Sequence, residues 1–364
     1  MRRLARKWMR WFDQNARDLP WRRTHDPYAV WISEIMLQQT QVKTVIPYYQ
    51  RWMRELPTIA QFARARPERV LKLWEGLGYY RRVRLAQAAA RLIIKQHAGR
   101  FPEAFDEVLA LPGVGRYTAG AICSIAFDQP APILDGNVIR VFSRLLGIAG
   151  DPRSKAVKTK LWRAAEALVI ASGDPARLNQ AMMELGALIC LPRQPRCPAC
   201  PLRRDCLAWR SQRVEEFPTP ARRVAVTQRR IIALVVRDGA RLLVRRRPAG
   251  VVNAGLWEFP NVEVDVNSTN LRRLVAPFQL VDRAPFFRVR HSITRYRILL
   301  EAYRAGLPVC PASAAGGATW KTPAQLKNLP FTSAHRKVLR NLPSHPLTSL
   351  SVGRDSGRSH HIAD

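Results

Sequence analysis

Acidic residues are scarce in this chain of 364 residues: 27 Asp and Glu stand against 60 Lys and Arg, a formal charge of +33. That surplus exceeds what solubility requires, and it repels itself unless a polyanion is present. Long apolar runs are missing too. None approaches the roughly 18 residues of a membrane-spanning helix, so an integral helical membrane protein is excluded. The opening MRRLARKWMRWF offers only an amphipathic stripe, Leu4, Trp8, Trp11 and Phe12, which suits a helix packed on its own core better than one lying on a membrane. No secretory apolar segment precedes the first acid, so the expected home is a reducing interior: cytoplasmic, and nucleoid-associated if the source is bacterial. Nucleic acid is the expected polyanion, with no membrane partner.

Cysteine is sparse as well, six in all, and four of them are concentrated. Cys190, Cys197, Cys200 and Cys206 form a C-x6-C-x2-C-x5-C run. Two ligands held by an x2 loop and flanked by two more deliver four thiolates to one centre, either a single zinc or a cubane iron–sulfur cluster. Pro192, Pro195, Pro198 and Pro201 fill the run with turn chemistry, which argues against four unrelated core thiols. Only Cys123 and Cys310 lie outside it, too few for a disulfide framework.

Periodicity then divides the chain into two or three domains. Residues 1–212 read as helical, with apolar spacings of three and four through 29–52, 67–74, 83–94, 105–109, 117–126, 138–146 and 161–170. Residues 213–228, carrying Pro218 and Pro220, read as a linker. From 229 to 342 the period changes to that of strands. A strand at 231–236, a type I′-like turn at Asp238-Gly239 and a strand at 242–244 open a small α+β domain, with further strands at 286–289 and 296–303. The tail 343–364, rich in Ser, Pro, Gly and His, is expected to be disordered.

Between two helical segments, Leu111-Pro112-Gly113-Val114-Gly115-Arg116-Tyr117 places glycines two apart. Glycine lets backbone N–H groups approach a ligand, and the dipole of the following helix adds positive potential, a combination that favours phosphate. Taken alone, the pair is also an ordinary helix C-cap and turn.

This hairpin, Asp135 twenty-two residues after Gly113, and the cysteine run together resemble the helix-hairpin-helix DNA glycosylases related to endonuclease III, over residues 1 to about 210. The strings WISEIMLQQTQV (31–42) and Gly76-Leu77-Gly78-Tyr79-Tyr80 narrow the resemblance to the MutY-like, adenine-specific branch. Gly255-Leu256-Trp257-Glu258-Phe259-Pro260 adds a second domain similar to Nudix folds. The resemblance implies a multidomain protein: a helical glycosylase domain (six-helix barrel plus cluster domain), a [4Fe–4S] cluster on the four cysteines, and an α+β domain that reads 8-oxoguanine. It implies a monomer whose substrate is duplex DNA with A:8-oxoguanine or A:G mispairs.

Several residues acquire roles by this resemblance. Glu34 matches the general acid that protonates adenine at N7, and Asp135 the carboxylate that stabilises positive charge on the departing sugar, the logic of two-carboxylate glycosidases. From the residues alone, Glu34 shares a helix face with Gln38 and Gln41, and Asp135-Gly136-Asn137 is also a turn with Asp135 capping a helix. Asn137 is expected to hold Asp135. Tyr117 stands where bifunctional relatives carry a Schiff-base lysine, so base removal by water without strand cleavage is expected. A duplex adenine must be flipped out to react. Gln38 and Tyr79 match wedge residues, with Leu37 expected to help them, Arg22 and Gln180 match contacts to the adenine edge, and Leu111, Gly113, Val114 and Gly115 match the phosphate-binding hairpin.

The second domain departs from its relatives. Ile293-Thr294-Arg295 stands where many carry Phe-Ser-His, which leaves Thr294 and Arg295 as the 8-oxoguanine contacts and puts its discrimination from guanine at issue. Only Glu263 and Asp265 occur where a Nudix hydrolase clusters glutamates for magnesium, so no pyrophosphatase activity is expected. Nine arginines and one acid between 222 and 247 suit phosphate contact. Two alternatives remain: a bifunctional glycosylase and lyase on oxidised pyrimidines, and a non-catalytic iron–sulfur DNA-binding protein, which has no need of two paired carboxylates.

Overall fold

A computed structural model describes residues 1–219, 225–306 and 317–343. The tail expected to be disordered begins at Pro343 and otherwise lies outside the described residues. The chain forms two compact units, Met1–Val224 and Ala225–Asp364.

The first unit is helical: α1 (Arg2–Asn15), α2 (Pro27–Leu37), α3 (Val42–Glu55), α4 (Ile59–Arg64), α5 (Pro67–Leu73) and α6 (Arg81–Gln96) make its first half. The second half is α7 (Phe105–Ala110), α8 (Arg116–Phe127), α9 (Gly136–Leu145), α10 (Lys155–Ser172), α11 (Pro175–Leu188) and α12 (Leu207–Arg210). The stripe of α1 packs inward: Trp8 is fully buried against α10 and α11, and its indole donates to the Ala181 carbonyl at 3.1 Å. Among the described residues no helix is long and apolar enough to cross a membrane. A second, aromatic centre gathers Trp52, Phe62 and Trp74, with ring centroids 5.0 and 5.8 Å apart edge to face. Helix α2 passes through the core: every residue from Tyr28 to Met36 is buried, so it shows no amphipathic stripe and carries Glu34 inward with it.

The helical period read through 29–52 is interrupted. Helix α2 stops at Leu37, Gln39 turns to φ 56°, and α3 restarts at Val42. Glu34 and Gln38 therefore do not share a helix face, because Gln38 lies in the loop after α2. The cause is a distant side chain: Arg82 donates to the carbonyls of Ile35 and Met36, acceptors that a continuing helix would use for the N–H groups of Gln39 and Thr40.

The expected linker also starts late. Phe217 is buried, and Arg144 of α9 donates to the carbonyls of Val214 (3.0 Å) and Phe217 (2.9 Å), which fastens 214–217 to the helical unit.

The second unit is built on strands β1 (Thr227–Asp238), β2 (Arg241–Arg246), β3 (Trp257–Glu258), β4 (Asn261–Val264), β5 (Gln279–Leu280), β6 (Phe287–Ile293), β7 (Tyr296–Gly306) and β8 (Ala318–Lys321). Strand β1 runs parallel to β7 from Thr227↔Tyr296 to Val236↔Ala305, while β6 and β7 form an antiparallel hairpin. Alternation along β1 sends Ala233 and Val235 to one core and Ile232, Leu234 and Val236 to the other. Helices α14 (Pro323–Asn328) and α15 (Ser333–Arg340), which follow the short α13 (Leu271–Leu274), cover the first face through Leu326 and Val338. The β1–β2 register pairs Asp238 with Arg241, so the turn residues are Gly239 and Ala240, and the positive φ belongs to Gly239 alone. That is the type II′ pattern rather than the expected type I′.

Candidate active site

Three helices bring acids and their partners to one cavity of about 470 Å³ in the helical unit. Glu34 enters from α2, Tyr117 from α8, and Asp135 from the residue before α9. Of the residues singled out in the sequence, Arg22, Leu37, Gln38, Asn137 and Gln180 also line it.

Glu34 is buried, with 4% of its surface exposed, and Oε2 accepts a 2.6 Å hydrogen bond from the Tyr117 hydroxyl. Burial pushes its carboxyl up to about 7, with the negative field of Asp135 adding to the rise and the Tyr117 hydrogen bond and Arg22 opposing it. Tyr117 is itself held well above its ordinary value, first by burial, so its hydroxyl keeps its proton. Asp135 is the N-cap of α9: Oδ1 accepts from the Val138 N–H at 2.7 Å and Oδ2 from the Asn137 amide at 2.8 Å. Burial raises the Asp135 carboxyl, while these donors and Arg140 offset part of the rise by favouring the anion. Two carboxyls in one cavity thus have unlike surroundings: Glu34 meets one hydroxyl, Asp135 several donors and a helix N-terminus.

Asn137 is fixed in turn. Arg140 donates to Asn137 Oδ1 (2.8 Å), to the Gly186 carbonyl (2.7 Å) and to the Cys190 carbonyl (2.7 Å). Gly186 is required here because a Cβ would stand 2.6 Å from that of Asn137, so its absence lets α11 close on the site.

A third acid was not singled out in the sequence. Glu184 of α11 is buried and lines the same cavity. Arg17 donates to both its oxygens (2.8 and 2.7 Å), and Arg22 donates to Oε2 at 2.9 Å. Burial alone would raise the Glu184 carboxyl, but the two guanidinium groups outweigh it and hold it at about 2. The available signal was a lone acid inside the otherwise apolar run MMELGALI.

Other expected residues lie elsewhere. Tyr79 does not line the cavity; it stands 46% exposed on the loop before α6 with φ 47°. In the hairpin, Leu111 and Val114 turn their side chains into the core, which leaves Gly113, at φ 80°, and Gly115 as its exposed residues. Leu111 and Val114 therefore offer backbone only, and the Val114 N–H already donates to the Leu111 carbonyl at 3.1 Å. In the second unit, Thr294 (φ 51°) and Arg295 form the exposed tip of the β6–β7 hairpin. Arg229 and Arg295 lie 3.9 and 5.2 Å from the Tyr296 ring.

Cys190, Cys197, Cys200 and Cys206 line one small pocket with Val141, Leu145 and Leu185. Arg144 lies against it, Nη1 3.4 Å from Cys190 Sγ and its carbonyl 3.4 Å from Cys206 Sγ. Among the described residues no group of three or more His, Cys, Asp or Glu is disposed to hold a metal ion. The four thiols nevertheless line one apolar pocket, a donor set of the soft, thiolate-bound metal centres.

Comparison with known proteins identifies both units. Residues 32–167 match the family described as HhH-GPD superfamily base excision DNA repair protein, and residues 231–341 match the NUDIX domain. In class, the chain is therefore a helix-hairpin-helix base-excision repair protein with a Nudix-like second domain. A thermostable thymine-DNA glycosylase of known structure covers 57% of this chain and 95% of its own, at 29% identity and a TM-score of 0.53. The adenine DNA glycosylase of Mus musculus is 36% identical over 399 residues, spanning 92% of this chain and 77% of the relative. That of Homo sapiens is 36% identical over 401 residues, spanning 91% and 72%. The chain belongs to the adenine DNA glycosylases, enzymes that remove adenine from DNA by acting on its N-glycosyl bond.

Proposed function

We propose that the enzyme excises adenine opposite 8-oxoguanine or guanine by a monofunctional, acid-assisted mechanism in the cavity between Glu34 and Asp135. The observation that carries this reading is the pairing of a buried carboxyl pushed up to about 7 with a second carboxyl surrounded by donors. Flipping brings adenine into the cavity, with Gln38, Leu37 and Tyr79 filling the gap in the stack. Glu34 donates its proton to N7 of the base. The N–C1′ bond then breaks with its electron pair going to adenine, which leaves as a neutral base, and the cationic sugar is stabilised by the Asp135 carboxylate. Water adds to C1′ and gives its proton to the carboxylate left on Glu34, which resets the acid. Tyr117 orients Glu34 and supplies no amine, so no Schiff base forms. Arg22 and Gln180 bind the adenine edge, and the hairpin at Gly113 and Gly115 binds phosphate through its backbone. In the second domain Thr294 and Arg295 contact the opposite base, and the domain has no pyrophosphatase activity.

Cys190, Cys197, Cys200 and Cys206 would hold a [4Fe–4S] cluster, which supplies a rigid cross-link for a loop carrying Arg193, Arg196, Arg203 and Arg204. About four iron and four inorganic sulfide per chain in the purified protein supports this; zinc without sulfide overturns it.

Single-turnover reactions on end-labelled duplexes with A opposite 8-oxoguanine, G, T or C, each divided into alkali-treated and untreated halves, test the mechanism and the mispair together. Breaks only after alkali, fastest opposite 8-oxoguanine, are expected. A break without alkali, or an adduct trapped by borohydride, overturns the monofunctional reading. Equal rates opposite all four bases overturn the role given to Thr294 and Arg295.

A further inference from the structure

The loops carrying Gln38 and Tyr79 are joined by one side chain. Arg82, half-buried in the first turn of α6, donates through Nη1 to the carbonyls of Ile35 (2.7 Å), Met36 (3.2 Å) and Gln38 (2.5 Å). Through Nη2 it donates to the carbonyls of Leu77 and Gly78, both at 3.2 Å, the two residues before Tyr79. Its guanidinium carbon lies 5.3 Å from the Trp74 ring and 5.4 Å from the Tyr79 ring. All five acceptors are backbone carbonyls, three at the open end of α2, where the helix dipole favours a cation. Each loop also holds a non-glycine residue in the left-handed region, Gln39 at φ 56° and Tyr79 at φ 47°. Such conformations cost free energy and persist only where the surroundings over-determine them. Arg82 supplies that constraint on both sides at once.

We propose that Arg82 is a positioning residue for base extrusion: its planar fork fixes the spacing of the two loops, so that Gln38 and Tyr79 enter the duplex as a single wedge. The proposal rests on the reading of those two residues as wedges. A planar fork is needed because five carbonyls on two segments cannot be reached from the single nitrogen of a lysine.

The test uses the full chain and a duplex with 2-aminopurine beside the target adenine, opposite 8-oxoguanine. Unstacking is read as the fluorescence rise with catalysis silenced by Glu34→Gln, and excision as the single-turnover rate with Glu34 restored. Arg82→Met and Arg82→Lys are each expected to lower the unstacking amplitude to the level of Gln38→Ala with Tyr79→Ala combined. Excision should slow about tenfold or more, the usual effect of a displaced contact. In Arg82→Lys, affinity for undamaged duplex should stay within about twofold, since the phosphate contacts lie elsewhere, and the urea midpoint should fall, because carbonyls of both loops lose their donor, while the chain stays folded in the absence of urea. If Arg82→Met does not fold, Arg82→Lys decides alone. Normal unstacking in Arg82→Lys, while Gln38→Ala and Tyr79→Ala lower it, overturns the role of Arg82 and keeps the wedge. Unstacking lost only in step with duplex affinity or folding also overturns it. No effect from Gln38→Ala or Tyr79→Ala overturns the wedge reading beneath it.

Discussion

Glu34→Gln should inactivate the enzyme and stabilise it, with the gain depending on pH. The side chain is buried, and burial pushes its carboxyl up to about 7 from the ordinary 4.5. Between those values the folded chain holds a proton that the unfolded chain has released. The stability contributed by that proton is full below pH 4.5 and is lost as pH rises through 7. At about 1.4 kcal/mol per pH unit, the ionised carboxylate costs the fold about 3 kcal/mol above pH 7. Glutamine removes that cost and keeps an oxygen for the Tyr117 hydroxyl, which now donates at 2.6 Å. Unfolding of both proteins in urea at pH 5, 6, 7 and 8, followed by tryptophan fluorescence, should give a difference of only about 1 kcal/mol or less at pH 5. At pH 8 the variant should be more stable by about 3 kcal/mol, with excision slowed about 100-fold or more. A difference that does not change between pH 5 and 8 would refute the reasoning, because Glu34 would then titrate alike in both states.

The remaining expectations concern the groups around this acid. Tyr117→Phe removes a hydrogen bond that holds Glu34 down, so the alkaline limb of the excision rate should move up by about one pH unit, seen in a single-turnover pH profile. Glu184→Gln strands Arg17 and Arg22 beside a neutral amide; since Arg17 is partly exposed, a loss of about 2 to 3 kcal/mol in urea stability is expected. Asn137→Ala releases Asp135 Oδ2 and one anchor of Arg140, and should lower the single-turnover rate about tenfold or more while leaving duplex affinity intact.

Local pattern reached far into this structure where local physics decided it. The amphipathic stripe of α1, the cap at Asp135 and the strand period after 229 each depend on neighbours in sequence, and each is readable there. Two of the misreadings have another origin, a long side chain arriving from elsewhere. Arg82 ends α2 from forty-seven residues away, and Arg144 ties down 214–217 from seventy, so neither the interrupted helix nor the late linker has a local signature. Glu184 escaped attention for the same reason, because its arginines lie 162 and 167 residues away. The β1–β2 turn was missed by a single position, since Asp238 pairs with Arg241 rather than entering the turn.

Helix α9 has a practical consequence for handling the enzyme. Its N-terminal end is capped by Asp135, and from its later turns Arg140 and Arg144 grip the backbone around Cys190 and Leu191. Ten residues of helix, about 15 Å of rod, thus join the cysteine loop to the Asp135 carboxylate in the cavity. Oxidative damage to that loop during purification would produce molecules with every reacting group present but Asn137 and Asp135 no longer held. Such molecules would still contribute to the protein concentration. Rates should therefore be normalised to active sites counted by burst amplitude, and two preparations of the same chain compared only after that count.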